Sequence, residues 1–121
     1  MARAPVPDVW LTHVRGLVVT LPEAVEERAW TGVRWVVKGS TFAHLFGGED
    51  QLIRLTFRAE MSEVAAFEHL GPPYFRVGGN AVGLVLDDAT DLVELRELVV
   101  ESYCLQAPVA LAQQVDRPDV S

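Results

Sequence analysis

The sequence predicts an α+β domain, a two-layer α/β sandwich in which helices cover one face of an antiparallel sheet. Three observations lead to this class. The hydrophobic period changes along the chain from about 3.6 residues, typical of a helix, to about 2 residues, typical of a half-buried strand, and back again. Glycine, proline and asparagine residues separate the periodic segments and mark turns. The 121 residues, half of them hydrophobic, suit one domain with one core.

The first predicted element is a helix from about Val9 to Leu21, with Asp8 as its N-cap and Pro22 ending it. The apolar residues at helical spacing are Trp10, Val14, Leu17, Val18 and Leu21. We interpret residues 23–27, which include three glutamates, as a solvated connection.

Three strands in a meander are predicted next, over residues 33–38, 41–46 and 52–57. A two-residue hairpin turn at Gly39-Ser40 joins the first two strands. This turn sets a register in which Trp35 lies opposite His44, so that the histidine shares the apolar face. We therefore expect a hydrogen-bonded core histidine.

The second half of the chain is predicted to alternate helices and strands. Ser62 is the expected N-cap of a short helix that ends at Leu70, before Gly71. Strands over residues 74–77 and 81–86 flank a glycine-rich turn.

The last predicted helix begins at Asp91, which forms a capping box with Glu94, and continues to about Tyr103. We expect residues 1–121 to form one domain, with a core over about residues 8–112 and a loose tail from Gln113. The periodicities place a particular set of residues in the core: Trp35, Phe42, Ile53, Leu55, Leu84 and Leu95.

The element order and several short segments resemble the MmcQ/YjbR family over about residues 8–118. The matching segments are Leu21-Pro22-Glu23, the hairpin from Trp35 to Ala43, Gly71-Pro72-Pro73-Tyr74-Phe75, Val82 to Leu86 with Asp91, and Glu101-Ser102-Tyr103. Ala107-Pro108 and Asp116-Arg117-Pro118 are similar to the actinobacterial branch of that family. The resemblance implies a CyaY-like fold, related in architecture to frataxin, and DNA binding. Similar members usually carry lysine after the Ala-Pro, where this chain has Val109-Ala110.

The candidate binding site is a basic face of the sheet. Strand parity directs Arg34, Lys38, Arg54 and Arg58 away from the apolar face, whereas all 17 acidic residues are predicted to lie outside the strands. Two interpretations stay open. The cations form a contact surface for nucleic acid or another anion, or they are the solvated face of an antiparallel sheet. The formal net charge of −7 opposes a phosphate-rich partner.

The sequence thus favours a non-enzymatic nucleic-acid-binding module, with a protein-binding or small-ligand-binding domain as the alternative. An enzyme is less favoured, because no nucleophile, base and orienting group come together in the sequence. We predict no cofactor and no metal site, since His13, His44 and His69 are isolated from one another and from metal-ligand spacings. Cys104 is interpreted as a small buried hydrophobe.

The expected location is the cytoplasm. A single cysteine cannot form an internal disulfide, and the sequence begins without a cleavable apolar segment. The longest dense apolar stretch, residues 17–21, is far too short to cross a bilayer, so no membrane partner is expected.

Overall fold

The computed structural model describes residues 2–116. Within this range the chain forms a six-stranded sheet and four helices. The elements are α1 (Asp8–Val18), β1 (Ala24–Ala29), β2 (Gly32–Val37), β3 (Ser40–Gly47), β4 (Ile53–Arg58), α2 (Met61–Leu70), β5 (Tyr74–Gly78), β6 (Ala81–Leu86), α3 (Leu92–Gln106) and α4 (Val109–Ala112).

The strands lie in the order β1-β2-β3-β4-β6-β5, and every neighbouring pair is antiparallel. The core joins the inward side chains of the sheet to those of the three long helices. The predicted class, an α+β domain with an antiparallel sheet, is therefore confirmed.

The predicted core is largely confirmed. Five of the six residues are buried, and Ile53 is half-buried and packs against the others. Ser102, a buried polar residue of α3, fixes this helix to the sheet. Its hydroxyl donates to the Phe42 carbonyl at 2.5 Å and accepts from the Arg58 backbone N–H at 2.8 Å. Satisfying the hydroxyl in this way removes the cost of burying it.

The connection predicted over residues 23–27 is wrong, because most of it belongs to the edge strand β1. This strand pairs on one side only, and its central four residues are exposed, so its sequence lacks the alternation of a half-buried strand. Glu26 lies on the helix side, where it accepts hydrogen bonds from Arg15 and from the Trp35 indole. With Glu26 and Glu27 in β1, the expectation that no acidic residue lies within a strand is also wrong.

The predicted hairpin register is wrong as well. The turn consists of Lys38 and Gly39, both with positive φ, so Val37 rather than Lys38 closes it and lies opposite Ser40. A bulge at Phe42 then shifts the register, so that Phe42 and Ala43 are both buried and Leu45, rather than His44, lies opposite Val33. His44 consequently lies opposite Arg34, on the face away from the helices.

Helices α1 and α2 lack the side-chain N-caps that the sequence predicted, and their ends differ from the predicted ones. Helix α1 begins at Asp8 itself and ends at Val18, and α2 begins at Met61, so neither Asp8 nor Ser62 is an N-cap. Asp91 does cap α3, accepting from the backbone N–H groups of Val93 and Glu94. None of the helices within residues 2–116 is long and apolar enough to cross a membrane.

The C-terminal part of the chain is more helical than predicted. Helix α3 continues to Gln106 and contains Cys104, and the short helix α4 follows Pro108. Cys104 is half-buried and packs against the core. Of the predicted tail, residues 113–115 form a turn and a bend, while residues 117–121 lie outside the described residues.

Candidate binding face

The face of the sheet opposite the helices, which we call the open face, carries one row of register partners. The row crosses five strands and consists of Arg34, His44, Thr56, Gly83 and Phe75. A second row places Phe46 beside Arg54. Aromatic and cationic side chains therefore lie next to each other on the side of the sheet that the helices leave uncovered.

Trp30 is the most conspicuous residue of this face. It lies in the turn between β1 and β2 with φ of 56°, a left-handed conformation that costs a bulky residue about 1–2 kcal/mol. Although 65% of its surface is exposed, its ring centroid lies 5.1 Å from that of His44 and 4.9 Å from that of Phe46. A strained backbone that presents an exposed aromatic ring is a typical mark of a functional position.

Arg3 reaches the same place from the N-terminal segment. Its guanidinium lies 4.0 Å from the Trp30 ring centroid, in cation–π geometry, and donates to the Gly47 carbonyl at 3.4 Å. The segment is held by a hydrogen bond from the Ala4 N–H to the Gly48 carbonyl. This contact brings a positive charge onto one edge of the open face.

Phe75 forms the opposite aromatic wall. Its ring lies directly over Gly83, where an added Cβ atom would be only 2.1 Å from the ring. The Arg54 guanidinium lies 5.7 Å from the Phe75 centroid. Only glycine at position 83 leaves the ring this close to the sheet.

A shallow cavity of about 570 Å³ lies between the two aromatic groups. Trp30, His44 and Phe46 border one side of it, Phe75 borders the other, and Thr56 lies on the strand between them. His44 and Gly83 are two strand spacings apart, roughly 10 Å. A ligand in this cavity would contact aromatic side chains from β3 and β5.

The four predicted cations do not form one patch. Arg34 and Arg54 lie on the open face, whereas Lys38 lies in the hairpin turn and Arg58 at the far end of β4. Arg34 pairs with Glu27 at 2.8 Å, Lys38 pairs with Glu23 at 2.6 Å, and Arg54 pairs with Asp50. Arg58 donates to the Asn80 side chain at 3.1 Å.

The ion pairs make the open face nearly neutral. The hydrogen bonds from Arg54 hold the pKa of the Asp50 carboxyl far below its ordinary value, so this pair stays ionised down to strongly acidic pH. Burial lowers the pKa of His44, an effect that a hydrogen bond with the Ala29 backbone partly offsets. His44 is therefore neutral at physiological pH and adds no charge to the face.

The bonding of His44 differs from the prediction made from the sequence. His44 was predicted to be a hydrogen-bonded residue of the core, but its side chain lies on the open face. Its buried Nε2 atom makes no hydrogen bond to any described residue. Among residues 2–116, no three His, Cys, Asp or Glu side chains lie close enough together to hold a metal ion.

Sequence reasoning missed the aromatic part of the face. Arg3, Trp30, Phe46 and Phe75 were not singled out, because they come from distant segments and the wrong hairpin register placed Phe46 on the core side. No local signal indicated Trp30, because the segment before it, residues 24–29, lacks the alternation of a half-buried strand.

Comparisons with known proteins agree on the fold. The model of the YjbR family matches residues 19–105, more than half of the chain. The crystal structure of Deinococcus radiodurans protein DR2400, with family-model domain DUF419, superposes with a TM-score of 0.67. That match has 19% identity and covers 90% of this chain and 89% of the other. No curated protein matches the chain significantly.

Proposed function

The chain belongs to the YjbR family, and we propose that it is a non-enzymatic binding domain whose open face stacks against unpaired bases of single-stranded nucleic acid. The observation that carries this proposal is Trp30, an exposed indole held in a strained turn beside His44 and Phe46. Stacking of a base on an aromatic ring contributes about 1–3 kcal/mol and tolerates any base. We also propose that the protein works in the cytoplasm, in keeping with its single cysteine.

The proposed interaction relies on stacking more than on phosphate contacts. Arg34 and Arg54 flank the aromatic residues and are the two predicted cations that we assign to the phosphates beside a stacked base. Each must share its guanidinium with a carboxylate, Glu27 or Asp50, and the chain carries a net charge of −7. We therefore expect an affinity no tighter than the non-specific range of roughly 10⁻⁴ to 10⁻⁶ M.

Lys38 and Arg58 have a lesser part in this proposal. Lys38 lies in the turn and pairs with Glu23, and Arg58 lies at the end of β4 beside Asn80. Neither borders the cavity between the aromatic walls. We expect their replacement to change binding less than replacement of Arg54.

The test is a titration of a fluorescently labelled thymidine 12-mer at low salt. The wild type, Trp30→Leu and Val19→Ser are compared; Val19 is 81% exposed at the end of α1 and serves as the matched surface control. Loss of one stacked base should weaken binding at least about five-fold in Trp30→Leu, with no change in Val19→Ser. Equal binding by all three proteins, or no binding by any, contradicts the proposal.

The second candidate is a small planar ligand, or a partner protein, bound on the same face without nucleic acid. The ion pairs favour it, because they leave the open face nearly neutral. If Trp30→Leu abolishes binding of an uncharged aromatic probe such as adenosine, while oligonucleotides fail to bind the wild type, this candidate replaces the first.

A further inference from the structure

A second concave surface lies at the end of the sheet where β4 begins, β6 ends and α3 begins, and it shares no lining residue with the cavity of the open face. It is a cavity of about 810 Å³, and Leu52 and Leu70 belong to its lining. Asp87 and Thr90 also line an adjoining cavity of about 230 Å³ that extends to Val9 and Leu92. The two cavities share Asp87 and Thr90 in their linings, and we call them together the acidic groove.

The acidic groove exposes an unusual amount of apolar surface. Val9 is 70% exposed, Leu52 46%, Leu70 67% and Leu92 47%. The adjacent prolines Pro72 and Pro73 extend the apolar lining. Single exposed hydrophobic residues are normal, but several along one depression mark an interaction surface.

The charge of the groove has one sign. Asp87, Asp88, Asp91 and Glu94 line it, whereas the described residues that line the two cavities include no lysine and no arginine. Asp91 caps α3, and Glu94 accepts a hydrogen bond from the Tyr74 hydroxyl. Carboxylates have about four lone-pair sites each, so both retain acceptor capacity toward a ligand.

We propose that the acidic groove binds an extended peptide segment of a partner protein, in which apolar side chains alternate with lysine or arginine. The apolar residues of the groove take the apolar side chains, and the carboxylates between them pair with the cations. A ligand that contacts both cavities must extend past Asp87 and Thr90, which favours a peptide segment over a small molecule. The proposal is independent of the open face, and either surface can fail without the other.

The test uses two acetylated, amidated hexapeptides, alternating Leu-Lys and alternating Leu-Glu. Each is titrated into the full-length ¹⁵N-labelled protein and followed by NMR. We expect the Leu-Lys peptide to shift the amide resonances of residues 70, 71, 74 and 87–94, and the Leu-Glu peptide to shift none of them. No shift at millimolar Leu-Lys peptide, or equal shifts with both peptides, overturns the proposal.

Variants separate the apolar and charged contributions. Leu70→Ser removes an exposed apolar side chain, and Asp91→Asn with Glu94→Gln removes two charges while keeping an N-cap and a hydrogen-bond acceptor. Each should weaken binding of the Leu-Lys peptide by about five-fold or more, and Val19→Ser should leave it unchanged. Unchanged affinity in Leu70→Ser contradicts the proposal. A concentration-dependent dimer that Leu70→Ser dissociates would assign the groove to a second copy of the chain and also overturn it.

Discussion

The Phe75 ring lies over the Gly83 backbone so closely that no larger residue fits beneath it. We expect Gly83→Ala to displace the ring and to cost about 1–3 kcal/mol of unfolding free energy, because the added methyl group overpacks the site. Chemical denaturation measures this change. The matched control is Gly16→Ala in α1, where an added Cβ meets nothing within 4 Å. It should stabilise the helix or leave it unchanged, and equal destabilisation of both variants would show that Phe75 is not the cause.

Ser102 connects α3 to two strands through one hydroxyl. Ser102→Ala leaves the Arg58 N–H and the Phe42 carbonyl without this partner, so we expect a loss of about 1–3 kcal/mol in unfolding free energy. Ser62→Ala is the control, because Ser62 is exposed and caps no helix. Its effect should stay within about 0.5 kcal/mol. A loss from Ser62→Ala as large as that from Ser102→Ala would contradict both assignments.

His44 should make stability depend on pH near neutrality. Burial lowers the pKa of His44 in the folded protein below its ordinary value of 6.5, so the unfolded chain takes up a proton more readily. The resulting stability is present above pH 6.5 and is lost as the pH falls through the lower, folded pKa. The denaturation midpoint should therefore decrease as the pH is lowered from about 8 to about 5. The decrease should be smaller in His44→Gln. Identical pH profiles for both proteins would show that His44 does not titrate differently on folding.

Much of the fold is predictable from local pattern. The β5-β6 hairpin, the Asp91 cap and most of the predicted core follow from turn residues and hydrophobic period. Strand β1 could not be predicted, because an exposed edge strand does not need alternating apolar and polar residues. The register of β2 and β3 could not be predicted, because the turn at Lys38-Gly39 and the bulge at Phe42 set it together and hydrophobic period specifies neither.

The candidate site is less predictable than the fold. The cations on the strands are visible in the sequence, but their carboxylate partners Glu27 and Asp50 come from a missed strand and a turn. The contact between Arg3 and Trp30 joins segments 27 residues apart, and no local pattern indicates it. What the sequence presents as a basic face is an aromatic face with neutralised cations.

The salt dependence of oligonucleotide binding distinguishes stacking from phosphate binding. If only Arg34 and Arg54 contact phosphates, the slope of log K against log salt on a single strand should be no steeper than about −1.4. Contacts by all four predicted cations would give a slope of about −2.8. We expect the shallower slope, and Arg54→Gln should reduce its magnitude by about 0.7. The steeper slope would instead support phosphate binding by all four cations as the main interaction.

The most direct test is the fluorescence of Trp30 during titration with an unlabelled thymidine 12-mer at low salt. Trp35 is buried on the helix side of the sheet and Trp10 lies in α1, so neither reports on the open face. The proposal predicts saturable quenching that disappears in Trp30→Leu and is unchanged in Val19→Ser. Binding that leaves the Trp30 emission unaltered, or quenching that persists in Trp30→Leu, would contradict base stacking on the open face.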